Sequence, residues 1–249
     1  MTSNVTSLRR QLKEEALAMG AAYFGVANLA FAHQGKITYF EQTLVAEYSQ
    51  AVSIGVPLDT AIVDGISDTS GRIAHRDYWH HVYQVISPFI DRITARLCPI
   101  LKDKGYSAMP IAATKTLDYE NHYGLFSHKM AANLAGLGWI GKSCMLITPD
   151  RGPRVRWGTI LTNVPLEPGN MIKARCGRCT RCVEACPAGA FRGKDFDPSQ
   201  PREMRMMAEK CSDFLVENIR MVGFAVCGRC VYICPWGQKA SKQRILNNR

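Results

Sequence analysis

The chain has 249 residues, a formal net charge of +10 and 47% hydrophobic residues. This length is enough for one large domain and one small one, each with its own buried apolar side chains. The N-terminal segment is polar and charged, so it is not a secretory signal. The longest apolar stretch, at 21–32, is too short to span a bilayer. We therefore expect a cytoplasmic protein that does not enter a membrane.

Helices are predicted in three parts of the first two thirds of the chain. Apolar residues recur with helical spacing over 6–19, which predicts an amphipathic helix. A long helix is predicted over 75–104, and Pro88 and Pro99 should kink or divide it because proline lacks an amide donor. A shorter helix is predicted over 127–135.

Strands are predicted between these helices, from short apolar runs at 22–27, 51–56 and 106–113. Two further runs, at 145–148 and 156–162, flank a turn, and we expect them to pair with each other. The elements together predict an α+β or α/β domain over 1–168. Residues 169–249 form a second, smaller predicted domain.

Eight of the ten cysteines form one pattern in this second domain. The first run reads C-x2-C-x2-C-x3-C-P and comprises Cys176, Cys179, Cys182 and Cys186. The second run reads C-x2-C-x3-C-P and comprises Cys227, Cys230 and Cys234. An isolated cysteine, Cys211, lies between the two runs. This spacing is typical of two 4Fe–4S clusters and predicts a protein that transfers electrons.

In bacterial two-cluster domains the last cysteine of each run binds the other cluster. The crossing predicts one cluster on Cys176, Cys179, Cys182 and Cys234. It predicts the other cluster on Cys186, Cys211, Cys227 and Cys230. The isolated cysteine lies sixteen positions before Cys227 instead of the usual three, so an insertion must loop out of the second site.

Other uses of the cysteines are less well supported by the spacing. Zinc sites also use C-x2-C pairs, but they require neither a third cysteine two residues later nor a repeated C-x3-C-P. Disulfides are disfavoured because the pairs are too close in sequence and nothing suggests export. Cys98 and Cys144 lie in apolar surroundings and are interpreted as buried apolar residues.

The basic charge is concentrated in the second domain. From Leu166 onward there are 15 basic and 8 acidic residues. Eight thiolates around two oxidised cluster cores contribute a charge of about −4 to the same segment. Much of the basic excess can therefore neutralise the clusters.

Motifs outside the cysteine runs indicate a relationship to a known family. The sequence A-G-L-G-W-I-G-K occupies 135–142, T-N-V-P-L follows at 162–166, and the second run ends in C-P-W. Upstream, Arg76-Asp77-Tyr78 precedes two histidines. In this order the motifs resemble the epoxyqueuosine reductase family, over about residues 70–237. The G-P-R-V-R at 152–156 is similar to a motif of the related reductive dehalogenases.

The resemblance implies an N-terminal corrinoid-binding domain similar to B12-processing and nitroreductase-like folds. It implies that a bacterial ferredoxin-like domain with two clusters passes electrons to base-off cobalamin. The residues that the resemblance assigns to the corrinoid are Gly136, Gly138, Trp139, Gly141, Lys142, Arg156 and His128. Trp139 would stack on the macrocycle or fill the core, and Lys142 would hold a phosphate or amide group.

The chain departs from the family at two points that concern the substrate. The family has an aspartate, the presumed proton donor, where this chain reads P-I-A-A-T at 110–114. The chain also stops fifteen residues after Cys234, which predicts a short form without the family's C-terminal helical-repeat domain. The titratable segment after the third strand offers Asp118, His122 and Tyr123 as candidates for proton transfer, and the alternative is that this segment is an ordinary solvated loop.

The preferred interpretation is a cobalamin-dependent iron–sulfur reductase. Its expected partners are a low-potential donor of the ferredoxin or flavodoxin type and a small-molecule or corrinoid-protein substrate, with tRNA as a weaker possibility. Two alternatives stay open: an accessory protein that reduces another protein's corrinoid, and a ferredoxin-like carrier whose first domain binds a flavin or nothing. Neither a G-x-G-x-x-G after a strand nor a P-loop occurs in the chain, which disfavours a nucleotide.

Overall fold

The structure is a computed structural model that describes residues 2–30, 47–67 and 71–239. Its fold mixes helices and sheet, as predicted. The strands in chain order are β1 (Tyr23–Asn28), β2 (Gln50–Pro57), β3 (Ala108–Ile111), β4 (Trp139–Ile140), β5 (Leu146–Ile147) and β6 (Val155–Thr162). Four of them form an antiparallel sheet in the order β1-β2-β6-β3, and β4 pairs with β5 in a separate two-stranded ribbon.

The helices precede, cross and follow this sheet. In chain order they are α1 (Thr2–Ala18), α2 (Thr60–Asp64), α3 (Arg72–Trp79), α4 (Ser87–Lys102), α5 (His128–Leu134), α6 (Arg181–Glu184), α7 (Ala208–Val222) and α8 (Arg229–Tyr232). A π-helical turn, His80–Ile86, joins α3 to α4, and a short 3-10 turn spans Arg202–Met204. None of the helices in the described part of the chain combines the length and apolar character needed to cross a bilayer.

The long helix predicted over 75–104 is divided at only one of its two prolines. The π-helical turn ends directly before α4, in which Pro88 occupies the first turn, where a missing amide donor costs little. Pro99 was expected to kink or divide the helix, but it lies inside α4 without ending it. The reason is tertiary packing, because Ile93, Leu97 and Leu101 on this helix are fully buried.

The predicted pairing of 145–148 with 156–162 is wrong. β5 pairs with β4, whereas β6 is hydrogen-bonded to β2 on one side and to β3 on the other. Since both edges of β6 are occupied, no edge is left for β5. The turn between them is closed locally, by two backbone hydrogen bonds between Thr148 and Gly152.

The sheet is buried on both faces. On one face, Val52 and Ile54 of β2 pack in a core with residues of α1 and α4. On the other face, Ala51 of β2 and Trp157 of β6 pack in a core with residues of α5. Because successive side chains of a strand point to opposite faces, one strand serves both cores. Helix α5, on the second face, also borders a cavity.

The C-terminal part of the chain packs on the sheet domain through specific polar contacts. Gln50 exchanges two hydrogen bonds with the backbone of Leu166, 2.7 and 2.8 Å long, and so fixes the segment that leaves β6. Arg154 is 1% exposed, donates to Asp64 over 2.6 Å and packs against Gly237. A buried cation with a carboxylate partner is expensive to separate, which favours one fixed arrangement of these segments.

The Gly158→Ala substitution tests the contact between β6 and α4. A side-chain carbon at Gly158 would lie 2.2 Å from Cγ2 of Ile90, a distance that the packed helix cannot relieve without moving. We expect a loss of about 1–3 kcal/mol, measured as a lower midpoint of thermal unfolding by circular dichroism at a fixed scan rate. Gly71→Ala is the matched control because nothing lies within 4 Å of the added carbon. Equal midpoints for the two variants would contradict the packing of α4 on β6.

Candidate cluster sites and the adjoining cavity

The thiols predicted to bind the first cluster lie near one another. The thiol of Cys182, on α6, interacts electrostatically with those of Cys234, Cys176 and Cys179. Burial, followed by these neighbouring thiols, raises the pKa of Cys182 to about 11. Between Cys176 and Cys179 the backbone turns through Gly177, whose φ of 55° is in the left-handed region. Two segments that are distant in sequence, 176–182 and the one that holds Cys234, thus converge in the combination that crossed ligation predicts.

The second set of thiols gathers around α7 and α8. Cys211, on α7, interacts with Cys186 and Cys227, and Cys230, on α8, interacts with Cys227 and Cys211. Burial raises the pKa of Cys211 to about 11 and raises that of Cys230 further. Cys230 also interacts with Cys182 of the first set, so the two sets are neighbours. Within the described residues, no three His, Cys, Asp or Glu side chains are grouped so as to hold a single metal ion.

The glycines of the A-G-L-G-W-I-G-K motif support the first cysteine loop. Gly136 has a φ of 75°, and a side chain there would meet the carbonyl of Asn170. At Gly138 an added carbon would lie 2.4 Å from the carbonyl oxygen of Ile147, and at Gly141 it would lie 3.3 Å from Sγ of Cys176. These glycines allow backbone to approach backbone and thiol, which is different from the predicted contact with a corrinoid.

Trp139 and Lys142 serve the same loop. Trp139 is fully buried, and its ring meets Trp236, beyond the last cysteine, edge-on at 4.9 Å. Lys142 is 8% exposed, and its amine donates to the carbonyl of Gly177 over 2.7 Å. Neither residue borders the cavity described next, nor do the three glycines. The structure places them behind the first cysteine loop, and their predicted contact with a corrinoid stays a prediction.

A cavity of about 500 Å³ lies where β3, β6 and α5 meet the stretch that separates Cys186 from Cys211. This stretch, called the insertion from here on, is distinct from the extra residues between Cys211 and Cys227. Its apolar wall includes Ile111, Met130, Val155 and Trp157. The segment after β3 and the insertion close its remaining sides. This volume is in the range of small-molecule sites, which are mostly apolar with a few polar groups.

Four of the predicted site residues border this cavity: Arg156, His128, His122 and Tyr123. The Arg156 guanidinium donates to Ser87, to the hydroxyl of Thr114 and to the carbonyl of Ala113. Asp118 does not reach the cavity. It is half-buried and accepts two hydrogen bonds from Asn121, which lower the pKa of its carboxyl. Its role is to close a local turn.

His128 is a fixed part of the wall. Its Nε2 lies 3.0 Å from the carbonyl of Ala112, and its Nδ1 lies 2.8 Å from the hydroxyl of Thr159. Since a carbonyl can only accept, Nε2 carries the proton and Nδ1 accepts from Thr159. Burial lowers the pKa of His128 to about 4, so the ring is neutral at physiological pH. Both nitrogens are used, and neither is available to a metal.

The insertion holds the loop after β3 in place. Arg202 donates to the carbonyls of Asn121 and His122, over 2.6 and 3.1 Å, and its guanidinium lies 4.0 Å from the centre of the Tyr123 ring. The Tyr123 hydroxyl donates to Glu203 over 2.7 Å. One side of the cavity is therefore held by residues that lie between the two cysteine runs.

Three cavity residues were missed by the sequence reasoning: Lys129, Cys144 and Arg205. Cys144 and His122 are the two non-glycine residues with positive φ in the described part of the chain, at 55° and 57°. Both border the cavity, and residues held in this unfavourable region tend to occur at functional sites. Arg205 is 5% exposed and lies over the Phe196 ring at 4.6 Å.

Lys129 connects the cavity to the second set of thiols. It is half-buried on α5, and burial lowers the pKa of its amine, with a further decrease from Arg202 and Arg205. The thiols of Cys144 and Cys230, by contrast, raise the pKa of the Lys129 amine. Since Cys230 is a predicted cluster ligand, the cavity lies beside the second cluster site.

The C-terminal domain matches a known family. Residues 175–237 match the model of a 4Fe-4S double cluster binding domain. The prediction of two 4Fe–4S clusters is confirmed, whereas the ligand assignment to individual cysteines stays a prediction.

Curated relatives carry the name of the family that the motifs resemble. An epoxyqueuosine reductase of Synechococcus sp. is 33% identical over 184 residues, which cover 71% of this chain and 53% of the relative. The predicted resemblance is confirmed. An epoxyqueuosine reductase of Listeria monocytogenes is 36% identical over 118 residues, which cover 46% of this chain and 31% of the relative. The chain thus spans about half of the first relative and less of the second.

Solved structures share the fold. A crystal structure of epoxyqueuosine reductase with an epoxyqueuosine-modified tRNA stem loop gives a TM-score of 0.59 at 22% identity, covering 94% of this chain and 66% of that one. The reductive dehalogenase NpRdhA gives a TM-score of 0.68 at 20% identity, covering 95% and 33%. At this identity the likeness concerns the fold.

The Lys142→Met substitution tests the support of the first cysteine loop. Without the hydrogen bond to Gly177, the loop loses its buried donor, and we expect iron to be lost to a chelator about 10-fold faster. Lys173→Met is the matched control, since Lys173 is exposed on the segment leading to the same loop. The measurement is iron content against time after anaerobic reconstitution. Equal rates for the two variants would show that Lys142 does not hold the loop.

Proposed function

We propose that the protein is an iron–sulfur reductase in which two 4Fe–4S clusters deliver electrons to a base-off corrinoid bound at the cavity. The observation that carries this proposal is the electrostatic contact of Lys129 with the thiol of Cys230, because it brings the cavity next to the second cluster site. The names of the relatives support a reductase over an accessory protein or a simple carrier. One fold neighbour is described as a B12-dependent dehalogenase.

The cavity wall suits a corrinoid in two respects. The apolar side chains suit the faces of a flat macrocycle, and Arg156 and Lys129 suit the oxygen atoms of its amide and phosphate groups. Both ring nitrogens of His128 are hydrogen-bonded within the protein, so this residue would line the corrinoid without binding its metal. When bound, the corrinoid would supply a low-valent cobalt centre that reduces the substrate.

The chain's own residues would supply the protons. Lys129 can donate a proton into the cavity, and its lowered pKa makes the transfer easier near neutral pH than for an exposed lysine. The Tyr123 hydroxyl is a second donor on the cavity wall, held by Glu203. Asp118 is replaced in this role because its carboxylate lies outside the cavity.

Electrons would enter at the first cluster site. The cavity adjoins the second set of thiols, so the first set is the farther one. Its loop is surrounded by exposed basic residues, Arg175, Arg178 and Arg181. A positive surface next to a cluster favours an acidic donor of the ferredoxin or flavodoxin type.

Retention of cobalt after desalting tests whether the protein binds a corrinoid. After anaerobic reconstitution with iron and sulfide, addition of hydroxocobalamin and desalting, we expect about eight iron atoms and about one cobalt atom per chain. Arg156→Gln should lower the retained cobalt, because it removes a cation from the cavity wall. Lys173→Met should retain it, since Lys173 is exposed and does not border the cavity. Full iron without cobalt in the wild-type protein would refute the corrinoid proposal.

Turnover is measured with the same preparation. Dithionite-dependent reduction is followed with halogenated aromatic acids and, separately, with an epoxyqueuosine-containing tRNA stem loop. The second substrate tests whether the tRNA activity of the named relatives extends to this chain.

Charge reversal tests the point of electron entry. Arg178→Glu should slow cluster reduction by reduced flavodoxin about 10-fold at low salt, because it places repulsive charge beside the first cluster site. Arg72→Glu is the control, since this exposed arginine borders a groove next to Cys227 of the second set. Reduction by dithionite should be the same in both variants. A slower reaction in the Arg72 variant alone would place the entry at the second cluster.

A further inference from the structure

The cavity has basic groups on its wall and no acidic one. Lys115, Lys129, Arg156, Arg202 and Arg205 border it, whereas no described aspartate or glutamate does. Arg202 is already used, by two carbonyls of the loop after β3 and by Glu203. Arg156 is bonded to Ser87 and to the residues that follow β3. The remaining charges are those of Lys115, which is exposed to water, and of Lys129 and Arg205, which are half-buried and buried.

Arg205 is a buried guanidinium that forms no salt bridge with the described residues. Only 5% of the residue is exposed, and its Nε has no hydrogen-bond partner. Its side chain makes a ring contact with Phe196, and none of the ion pairs of the described residues involves it. Folded proteins rarely bury a charge unless it is paired, because desolvation of an ion costs several kcal/mol.

The carboxylates nearby are engaged elsewhere. Asp197 is half-buried and accepts hydrogen bonds from Ser199 and Gln200, and its electrostatic interaction with Arg205 is the smallest of the influences on its pKa. Glu203 is bonded to Arg202 and Tyr123. Lys129 adds a second positive charge near Arg205, which raises the cost of the arrangement. Two neighbouring cations on one wall, with apolar surfaces around them, need an anion from outside the protein chain.

We infer that this wall is an oxyanion site, in which Lys129 and Arg205 bind a carboxylate or phosphate group of the ligand that fills the cavity. A guanidinium matches the two oxygens of such a group, and the lysine amine adds a point charge. The inference deepens the proposed function and rests on it for the substrate class, which becomes a small organic acid or phosphate ester. The same chemistry has a second source, the phosphate of a corrinoid nucleotide.

Thermal unfolding of the cluster-reconstituted protein tests the site without turnover. Benzoate and inorganic phosphate are compared with chloride at equal ionic strength, and benzamide serves as the neutral analogue of benzoate. An oxyanion that binds only the folded state should raise the wild-type midpoint by about 5 °C near saturation, whereas benzamide should not. The Arg205→Gln and Lys129→Gln variants should lose this rise. Lys102→Gln, an exposed lysine on α4, should keep it.

The unliganded variants give an independent readout. Because Arg205→Gln removes an uncompensated buried charge, its midpoint in chloride should be equal to or higher than that of the wild type. A structural role for Arg205 predicts the opposite, a lower midpoint. A lower midpoint for both variants, or equal effects of chloride, phosphate and benzoate on the wild type, would overturn the oxyanion site. So would a change confined to cluster reduction, which would make the two cations counter-charges of the second cluster.

Two corrinoids separate the sources of the oxyanion. Cobinamide lacks the nucleotide phosphate that cobalamin carries. If Arg205→Gln weakens binding of cobalamin but not of cobinamide, the site holds the corrinoid phosphate. If benzoate still stabilises the wild type with cobalamin bound, and the variant loses this effect, the site holds the substrate. A protein that responds to oxyanions but retains no cobalt supports the site and refutes the corrinoid proposal.

Discussion

The structure depends on the convergence of eight thiols that belong to three separate segments of the chain. Between 169 and 207 the regular structure is limited to short turns and one four-residue helix, so these segments have no core of their own that could fix them. Their positions come from the preceding domain. Lys142 holds the carbonyl of Gly177, and Gly152 lies against the backbone of Gly237, at the two ends of the cluster domain. The sheet domain therefore serves as the scaffold of the clusters, besides forming one side of a cavity.

Sequence reasoning succeeds where spacing alone determines chemistry. The cysteine runs predict two clusters because few other sites need that order of thiols, and apolar periodicity predicts α1, β1, β2 and α5 because each buries a continuous face. It fails where neighbours distant in sequence decide the outcome. Nothing local shows that both edges of β6 are occupied, or that burial of α4 outweighs the lost amide of Pro99.

The cavity residues illustrate the same limit. A motif shared with a cofactor family predicts that Gly138, Trp139 and Lys142 contact the cofactor, but it does not show that Lys142 also holds the first cysteine loop. The sequence gives one weak indication that Lys129 is functional. Apart from the preceding histidine, it is the one charged residue between Ser127 and Lys142. Arg205 carried none, because its burial arises from the path of the insertion. Unpaired buried charge is a property of the folded chain, and only coordinates reveal it.

The insertion between the two cysteine runs links two properties that could otherwise vary independently. Phe196, Arg202, Glu203 and Arg205 all lie in the stretch that separates Cys186 from Cys211. A change in its length alters the walls of the cavity and, at the same time, the distance over which the isolated thiol must be delivered to its cluster. Ligand selectivity and reduction potential are thus inherited together in this architecture. A protein that acquires a new substrate through changes in this stretch would therefore also acquire a different reduction potential at the second cluster.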